Sequence, residues 1–359
     1  MKKKLSSFFK IYIGVMAGLV ALLIVAAVVL WTVLDAYETT RPKHVAEEVF
    51  NKYFLNSDIA GLMSAADPDS EGFESAETIN SAAKELIDTE KLKYFAVTSD
   101  DKNSAKYAVT EDNNRIAYFT VRKTDKKGKY GFEFYELSDA EIFFAPYGSV
   151  TVRVPDNYTL FVNDVPVGDK YVTASGIEGD SCKYMPEGVE GVKYKEYKLS
   201  GLFSEPTLKV MSQDQQEVAV TLDKTNNIYT AALANDSELE TEMKDYIIKA
   251  ASVYTAYMSN DAKFTDVSKY LDSSAETKIY DRVRESAVNW VRDHNGYKIS
   301  NEKASEFYKY ADGVFSCRVT LKETLTRPGY PNHIENIDIV LYCRNVDGKT
   351  LIYNIVTNS

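Results

Sequence analysis

The longest apolar run of the chain lies close to its first residue. Residues 11–34 contain no charged side chain over 24 consecutive positions. Because an α-helix rises 1.5 Å per residue, about 20 such residues cross the hydrocarbon core of a bilayer. The run exceeds the apolar region of a cleaved signal peptide, about 7–15 residues, and it ends without a small-residue cleavage site. The pattern therefore predicts an uncleaved transmembrane helix over residues 11–34.

The charges on either side of this run predict its orientation. Four lysines precede it, whereas charges of both signs follow it. The positive-inside rule then places residues 1–10 in the cytoplasm as a short tail, and residues 35–359 outside the plasma membrane. Gly14 and Gly18 form a GxxxG pattern, which lets two helices approach closely and indicates weak dimerisation through this span. The preceding lysines are Lys2, Lys3, Lys4 and Lys10.

Residues 41–147 change from a helical to a strand-like pattern. Apolar residues from Val45 to Phe54 recur at helical spacing, and a second such pattern covers residues 75–90. Short alternating runs separated by polar turns then follow as far as Pro146. Helices followed by a series of strands are typical of an α+β domain.

Residues 237–359 repeat this order of elements. One amphipathic helix is predicted from Met243 to Tyr257, and four strands are predicted from residue 296 onwards. The sequence therefore predicts a second α+β domain over residues 237–359. Between the strands and the first helix, a second helix is predicted through Ile279, Val283, Ala287, Trp290 and Val291.

The segment between these domains, residues 148–232, lacks a helical period and contains only short strand-like runs. It predicts a small all-β module. Asn163 and Asp164 separate two apolar runs and suit a two-residue hairpin turn, in which both residues need positive φ. Pro166 cannot donate a ladder hydrogen bond, so the returning strand is predicted at a sheet edge.

The order of elements in residues 41–147 and 237–359 resembles the NTF2-like superfamily, in which helices pack on a curved antiparallel sheet. The hairpin stretch VPDNYTLFVNDVPVG, residues 155–169, looks like the decoration hairpins of bacterial envelope proteins, with Asp164 at the usual glycine position. The whole layout is similar to the teicoplanin-resistance-associated membrane protein family, although this chain lacks that family's cytoplasmic zinc ribbon. The resemblance implies an accessory or sensory role at the cell envelope.

Composition narrows the range of partners. The apolar fraction of 45% is that of a folded protein, and the net charge is −11. Without the four N-terminal lysines the remaining chain carries −15, and no basic stripe interrupts it. Nucleic acid is therefore not expected as a partner, since phosphate binding requires clustered lysine and arginine.

No catalytic, cofactor or metal site is predicted. His44, His294 and His333 occur in separate contexts without metal-ligand spacing and are expected at the surface. The acidic loop 67–78 partly matches a calcium-binding loop, but Thr78 occupies the position that requires a bidentate glutamate. An acidic loop that ends in a helix N-cap is the expected interpretation.

The cysteines leave two alternatives open. Cys317 and Cys343 alternate with apolar residues on two predicted strands. If these strands form a hairpin centred on Tyr330, each cysteine lies thirteen residues from the centre and the two face one another. A location outside the cytoplasm permits a disulfide, whereas buried thiols also pack well as small apolar groups.

These observations lead to a functional prediction with two alternatives. The chain is expected to be a non-enzymatic, membrane-anchored protein that binds a partner outside the cytoplasm. In a bacterium this partner would be cell-wall material or another membrane protein. The alternatives are an enzyme with its catalytic pocket in an NTF2-like domain, which a closed, polar-lined cavity containing an aspartate of raised pKa would favour, and a structural spacer without a pocket.

Overall fold

The computed structural model describes residues 7–68, 72–99, 101–274, 276–286 and 293–358. The chain is mixed α+β, with one apolar N-terminal helix and several antiparallel sheets, as the sequence predicts. It divides into two compact units, Met1–Ser149 with Leu199–Pro206, and Val150–Lys198 with Thr207–Ser359. The predicted boundaries of three separate extramembrane domains stay a prediction.

The N-terminal helix α1 covers Ser7–Glu38, 32 residues. It is long and apolar enough to cross a membrane, and no other helix of the described residues meets that test. Its apolar side chains from Phe8 to Leu30 are exposed. At 1.5 Å per residue the helix is roughly 48 Å long, which exceeds a hydrocarbon core of about 30 Å.

Three short helices of the first unit pack on one antiparallel sheet. Pro42 begins helix α2, where its missing N–H is not needed. The side chains of Asp58 and Ser75 cap the next two helices by accepting from the N–H groups of Gly61 and Thr78. The helices are α2 (Pro42–Val49, continued by a π-helical turn Phe50–Phe54), α3 (Ile59–Ala66) and α4 (Ala76–Leu86). The sheet order is β1 (Leu92–Val97), β2 (Ser104–Glu111), β3 (Asn114–Lys127) and β4 (Glu133–Ile142).

A later segment of the chain returns to this first unit. Phe203 is buried in its core, 5% exposed. The carboxylate of Glu74 accepts hydrogen bonds from the backbone N–H groups of Phe203, at 2.9 Å, and Ser204, at 2.7 Å. It also accepts from the Ser204 hydroxyl at 2.7 Å. Residues 199–206 therefore complete the first unit, although they follow it by about 50 positions in sequence.

Short strands make up the first part of the second unit, and the end residues of two of them belong to the first unit. The hairpin prediction is confirmed: Asn163 and Asp164 have φ of 49° and 65°, and Val162 pairs with Val165. Pro166 lies in an edge strand, also as predicted. One sheet has the order β11 (Glu217–Val218), β10 (Leu208–Met211), β6 (Thr159–Val162) and β7 (Val165–Pro166). The other has the order β12 (Val220–Asp223), β13 (Ile228–Ala231), β5 (Gly148–Pro155), β9 (Lys193–Leu202) and β8 (Val172–Glu178).

The C-terminal part of the second unit packs helices on a four-stranded antiparallel sheet. Helix α5 places Ile247, Ala250 and Ala251 against the sheet, where the alanines allow close approach. Ala287, Trp290 and Val291, predicted in a helix, lie outside the described residues. The helices are α5 (Ser237–Met258), α6 (Phe264–Val267) and α7 (Ile279–Ser286). The sheet order is β14 (Gly296–Ala311), β15 (Val314–Thr326), β16 (His333–Val346) and β17 (Lys349–Thr357).

The prediction that Cys317 and Cys343 face each other across two strands is wrong. Cys317 pairs with Leu341, and Cys343 pairs with Phe315, because the β15–β16 hairpin is centred on Gly329 rather than on Tyr330. A one-residue shift of the centre displaces every cross-strand partner by two positions. The cysteines are therefore diagonal neighbours and both thiols are free. Burial raises the pKa of the Cys343 thiol, which also contacts Cys317.

Many tyrosines pack on the outer face of this sheet. Tyr342 and Tyr353 are buried there, 6% and 5% exposed. The ring of Tyr184, from the segment after β8, lies 5.0 Å from that of Tyr342. Because tyrosine combines an apolar ring with a polar tip, it suits a sheet face that another segment covers only partly.

Candidate functional site

A cleft of about 450 Å³ opens between helix α5 and the inner face of the C-terminal sheet. It lies entirely within the second unit. Apolar side chains line part of its wall, and carboxyl and hydroxyl groups lie on its floor. The lining includes Thr255, Met258 and Ser259 of the α5 end, Glu323 and Leu325 of β15, and Glu335 and Ile337 of β16.

At this end of the sheet, the inward-facing side chains of two neighbouring strands change from apolar to acidic. On β15 the inward positions Val319 and Leu321 are buried and apolar, and the next inward position is Glu323. On β16 Glu335 occupies the position directly opposite Glu323. Two carboxyl groups therefore face each other on the inner surface of the sheet.

The face of helix α5 that packs on the sheet changes from apolar to hydroxyl side chains at the same end of the cleft. Ile247 and Ala251 of α5 pack on the sheet, and the residues one and two further turns along this face are Thr255 and Ser259. Positions four residues apart share one face of an α-helix. A helix face that ends in hydroxyl groups thus meets a sheet face that ends in carboxyl groups.

Glu323 is 3% exposed, which is unusual for a residue with a carboxyl group that no lysine or arginine of the described chain pairs with. Burial raises the pKa of this carboxyl, and Glu335 and Asp261 raise it further by their negative charge. A hydrogen bond with Ser259 opposes this pKa shift, as does nearby His294, but burial is the largest effect.

The hydrogen bonds of Ser259 indicate how a protonated Glu323 is accommodated. The Ser259 hydroxyl lies within hydrogen-bond distance of both Oε1 of Glu323 and the carbonyl oxygen of Thr255, the latter at 3.0 Å. The hydroxyl has one proton, and the carbonyl oxygen can only accept. When Glu323 is protonated, it donates to Ser259, which donates to Thr255, and every group is then satisfied.

One hydroxyl in the cleft lacks a partner. Thr255 is 2% exposed and lines the cleft, yet its Oγ1 makes no hydrogen bond with any described residue. A buried hydroxyl without a partner costs free energy, of order 1–3 kcal/mol. This free energy becomes available to a ligand that supplies a hydrogen-bond partner.

A histidine–aspartate pair lies close to Glu323. Nε2 of His294 is 2.7 Å from a carboxylate oxygen of Asp261, and the two side chains are 9% and 19% exposed. The expectation that His294 lies at the surface is therefore wrong, because residues 293–294 directly precede β14 and remain close to the end of α5. His44 and His333 are more exposed, at 39% and 37%.

A larger cleft of about 660 Å³ also lies in the second unit, lined by Tyr158, Asp236 and Lys309 among others. Three of its charged groups already have partners. The Asp236 carboxylate caps α5 by accepting from the Leu239 N–H, and Lys309 pairs with Asp312 at 2.9 Å. It therefore lacks the buried, unpaired groups of the Glu323 cleft.

The structure brings no described residue close to the GxxxG glycines of α1. Gly14 and Gly18 lie on α1, with no atom within 4 Å of where a Cβ would lie. Asp69 and Glu71 of the acidic loop lie outside the described residues. Within the described ranges, no three His, Cys, Asp or Glu side chains form a group that could hold a metal ion.

Glu323 and Glu335 are not among the sites predicted from the sequence, although both leave a signal in it. Each occupies an inward position of a strand whose other inward residues are apolar, as in Val319, Leu321, Glu323 and Leu325. An acidic residue within such an alternation predicts either an irregular strand or a buried carboxyl group. The partners Ser259 and His294 leave no comparable signal.

Comparison with known proteins does not assign a family. No protein-family model and no curated protein sequence matches this chain. The intermembrane space region of the chloroplast protein ARC6 aligns with 34% of this chain and 97% of its own length, at 14% identity and a TM-score of 0.25. An NTF2-like protein involved in plasmid conjugation aligns with 85% of this chain and 94% of its own, at 11% identity and a TM-score of 0.23. TM-scores this low do not establish a shared fold, so the resemblance to the NTF2-like superfamily stays a prediction.

Proposed function

We propose that this chain is a single-pass plasma-membrane protein whose N-terminus lies in the cytoplasm and whose folded units lie outside. The observation that carries the proposal is helix α1, whose apolar side chains are exposed along its length. Such a surface is unfavourable in water and favourable in hydrocarbon. The lysines that precede the helix support the orientation.

Membrane topology tests this proposal directly. In a Cys182→Ser background the two remaining cysteines are buried, so an introduced cysteine reports its own side of the membrane. We expect a membrane-impermeant maleimide to label Gln213→Cys in intact cells and to label Lys4→Cys only after lysis. Labelling of Lys4→Cys in intact cells would reverse the orientation. Equal labelling of both variants in a soluble fraction would exclude the anchor.

We propose further that the role is non-enzymatic binding, of an accessory or sensory kind, at the cell envelope. The cleft beneath α5 supports binding over a purely structural spacer, because it contains a buried carboxyl group and, at Thr255, a buried hydroxyl without a partner among the described residues. Cell-wall material and other membrane proteins are the proposed partners. The layout of one N-terminal span followed by α+β domains, similar to the teicoplanin-resistance-associated family, agrees with this role.

Crosslinking in intact membranes tests the partner. Photo-crosslinkable residues at exposed positions of the second unit should capture a wall fragment or one membrane protein reproducibly. Substitution at the matched exposed position Lys126 in the first unit serves as the comparison, since Lys126 belongs to a different sheet. Identical crosslinked products from the positions in the second unit and from Lys126 would contradict a specific binding surface.

Catalysis is the second candidate, and one observation favours it. Glu323 has a raised pKa within a cleft, and the Asp261–His294 pair lies nearby, an arrangement suited to general acid–base chemistry. Mass spectrometry of wall fragments incubated with the protein distinguishes the candidates. Fragments that are converted by the unmodified chain but not by Glu323→Gln would identify an enzyme, and unchanged fragments support binding.

A further inference from the structure

We propose that the cleft at Glu323 and Glu335 binds small monoamines, molecules in which one protonated primary amine is attached to an apolar body. This inference deepens the binding role proposed above and rests on it. It assigns the chemistry of the ligand from the groups that the cleft presents.

The two carboxyl groups favour a cation when both are ionised, since a bound ammonium group stabilises the form of Glu323 that has released its proton to solvent. Glu323 and Glu335 are direct register partners on adjacent antiparallel strands, and like charges in this position repel. Among the described residues, Nε2 of His333 lies 3.9 Å from Glu335 and His294 acts electrostatically on Glu323, whereas no lysine or arginine pairs with either carboxyl. A ligand ammonium group between the two carboxylates would remove the repulsion and form charge-assisted hydrogen bonds.

A separate observation points to the same ligand. The Thr255 hydroxyl is 2% exposed, lines the cleft and lacks a partner in the described chain. An ammonium group has three N–H donors in a compact arrangement. Two can reach the carboxylates of Glu323 and Glu335, and the third can donate to Thr255 Oγ1.

The cleft walls specify an apolar body. Met258, Leu325, Ile337 and Ile339 line the space above the acidic floor. Burial of an apolar ring or short chain against them contributes affinity in proportion to the area removed from water. A cleft of about 450 Å³ is of the size that accommodates a small organic ligand.

Charge within the cleft also excludes other ligands. Anions are repelled by the carboxylates, with Asp261 adding to the negative field near Glu323. Arg282 lines another part of the cleft, where it donates to the side chain of Asn354 at 3.3 Å. A second ammonium on the ligand would meet this guanidinium, so monoamines are favoured over diamines.

Fluorine NMR of three matched small molecules tests the proposal on the full chain in phosphatidylcholine nanodiscs. The probes are 4-fluorobenzylamine, 4-fluorobenzyl alcohol and 4-fluorobenzoate, which share a ring and differ in charge. Empty nanodiscs provide the subtraction for lipid binding. We expect protein-dependent line broadening for the amine, and binding about tenfold or more weaker for the alcohol and the benzoate.

Variants locate the bound amine. Glu323→Gln and Glu335→Gln preserve shape, and each should weaken amine binding about tenfold or more, because each removes a charged acceptor. Glu190→Gln removes a charge at an 80%-exposed side chain and should leave binding unchanged. Thr255→Val, which removes only the hydroxyl, should weaken it by a smaller factor. Thermal unfolding of each variant verifies that it is folded.

Two results would overturn the proposal. Equal affinity for the amine and the alcohol would show that the cleft does not select charge. Unchanged amine binding in both folded glutamine variants would place the amine elsewhere. Either result leaves the topology and crosslinking tests standing, so failure of the amine proposal is distinguishable from failure of the membrane-anchored binding role.

Discussion

Glu323 and Glu335 face each other because the hairpin that joins their strands is centred on Gly329. In the same register, Cys317 and Cys343 are diagonal neighbours and not direct cross-strand partners. A hairpin centred one residue later would oppose the cysteines and move each glutamate opposite an apolar residue. One turn position thus decides both the absence of a facing cysteine pair and the presence of the acidic floor.

Stability should depend on pH through Glu323. Its folded-state pKa is raised, so the folded chain holds this proton at pH values where the unfolded chain has lost it. Stability therefore falls as pH rises from the unfolded pKa to the folded pKa, and stays lower above it. Glu323→Gln should remove this loss and raise the melting temperature at neutral pH. Melting curves between pH 4 and pH 8 measure the effect, with Glu190→Gln as the comparison; a variant less stable than the parent at pH 8 would contradict it.

All three cysteines should be free thiols in the folded protein. Alkylation under denaturing, non-reducing conditions should add an adduct at each of Cys182, Cys317 and Cys343. In the folded state only Cys182 should react rapidly, since the other two are 0% exposed. A mass two protons lower and a missing pair of adducts would instead show a disulfide between the strands.

Glu74 should stabilise the first unit. Its carboxylate accepts three hydrogen bonds from Phe203 and Ser204, so Glu74→Ala leaves buried N–H groups without a partner. We expect a loss of roughly 1–3 kcal/mol in the free energy of unfolding, measured with urea. Glu85→Ala, at an exposed position of α4, should change the value by less than about 0.5 kcal/mol. Equal effects of the two substitutions would refute the role of Glu74.

The hairpin turn should tolerate glycine better than any branched residue. Asp164 has a φ of 65°, in the left-handed region. Asp164→Gly should stabilise the chain by up to about 1 kcal/mol, whereas Asp164→Val should destabilise it by about 1–2 kcal/mol. Chemical unfolding of both variants measures the difference, and the opposite order would contradict the turn geometry.

Weak self-association should depend on the small residues of α1. Gly14 and Gly18 are one turn apart and have open space around them, so a second helix can approach them closely. Gly14→Ile with Gly18→Ile should reduce crosslinked dimer in membranes, and Ala27→Ile, on the opposite face of the helix, should not. An unchanged amount of crosslinked dimer in the double variant would exclude dimerisation through the face that contains Gly14 and Gly18.

The sequence determined the local elements. Uninterrupted apolar character predicted α1, helical periodicity predicted α2, α4 and α5, and residue type predicted the turn at Asn163 and Asp164. These features depend on neighbours within a few positions, so their pattern is visible along the chain. Alternation also marked the inward positions of β15 and β16, including those of the two glutamates.

Only the tertiary structure decided which distant groups meet. Ser259 and Glu323 are 64 positions apart, and Asp261 and His294 are 33 apart. The return of residues 199–206 to the first unit likewise depends on Glu74, about 130 positions away. Strand register and chain return are set by the packing of whole elements. A one-residue shift in a turn changes every cross-strand partner and leaves the local hydrophobic pattern unchanged.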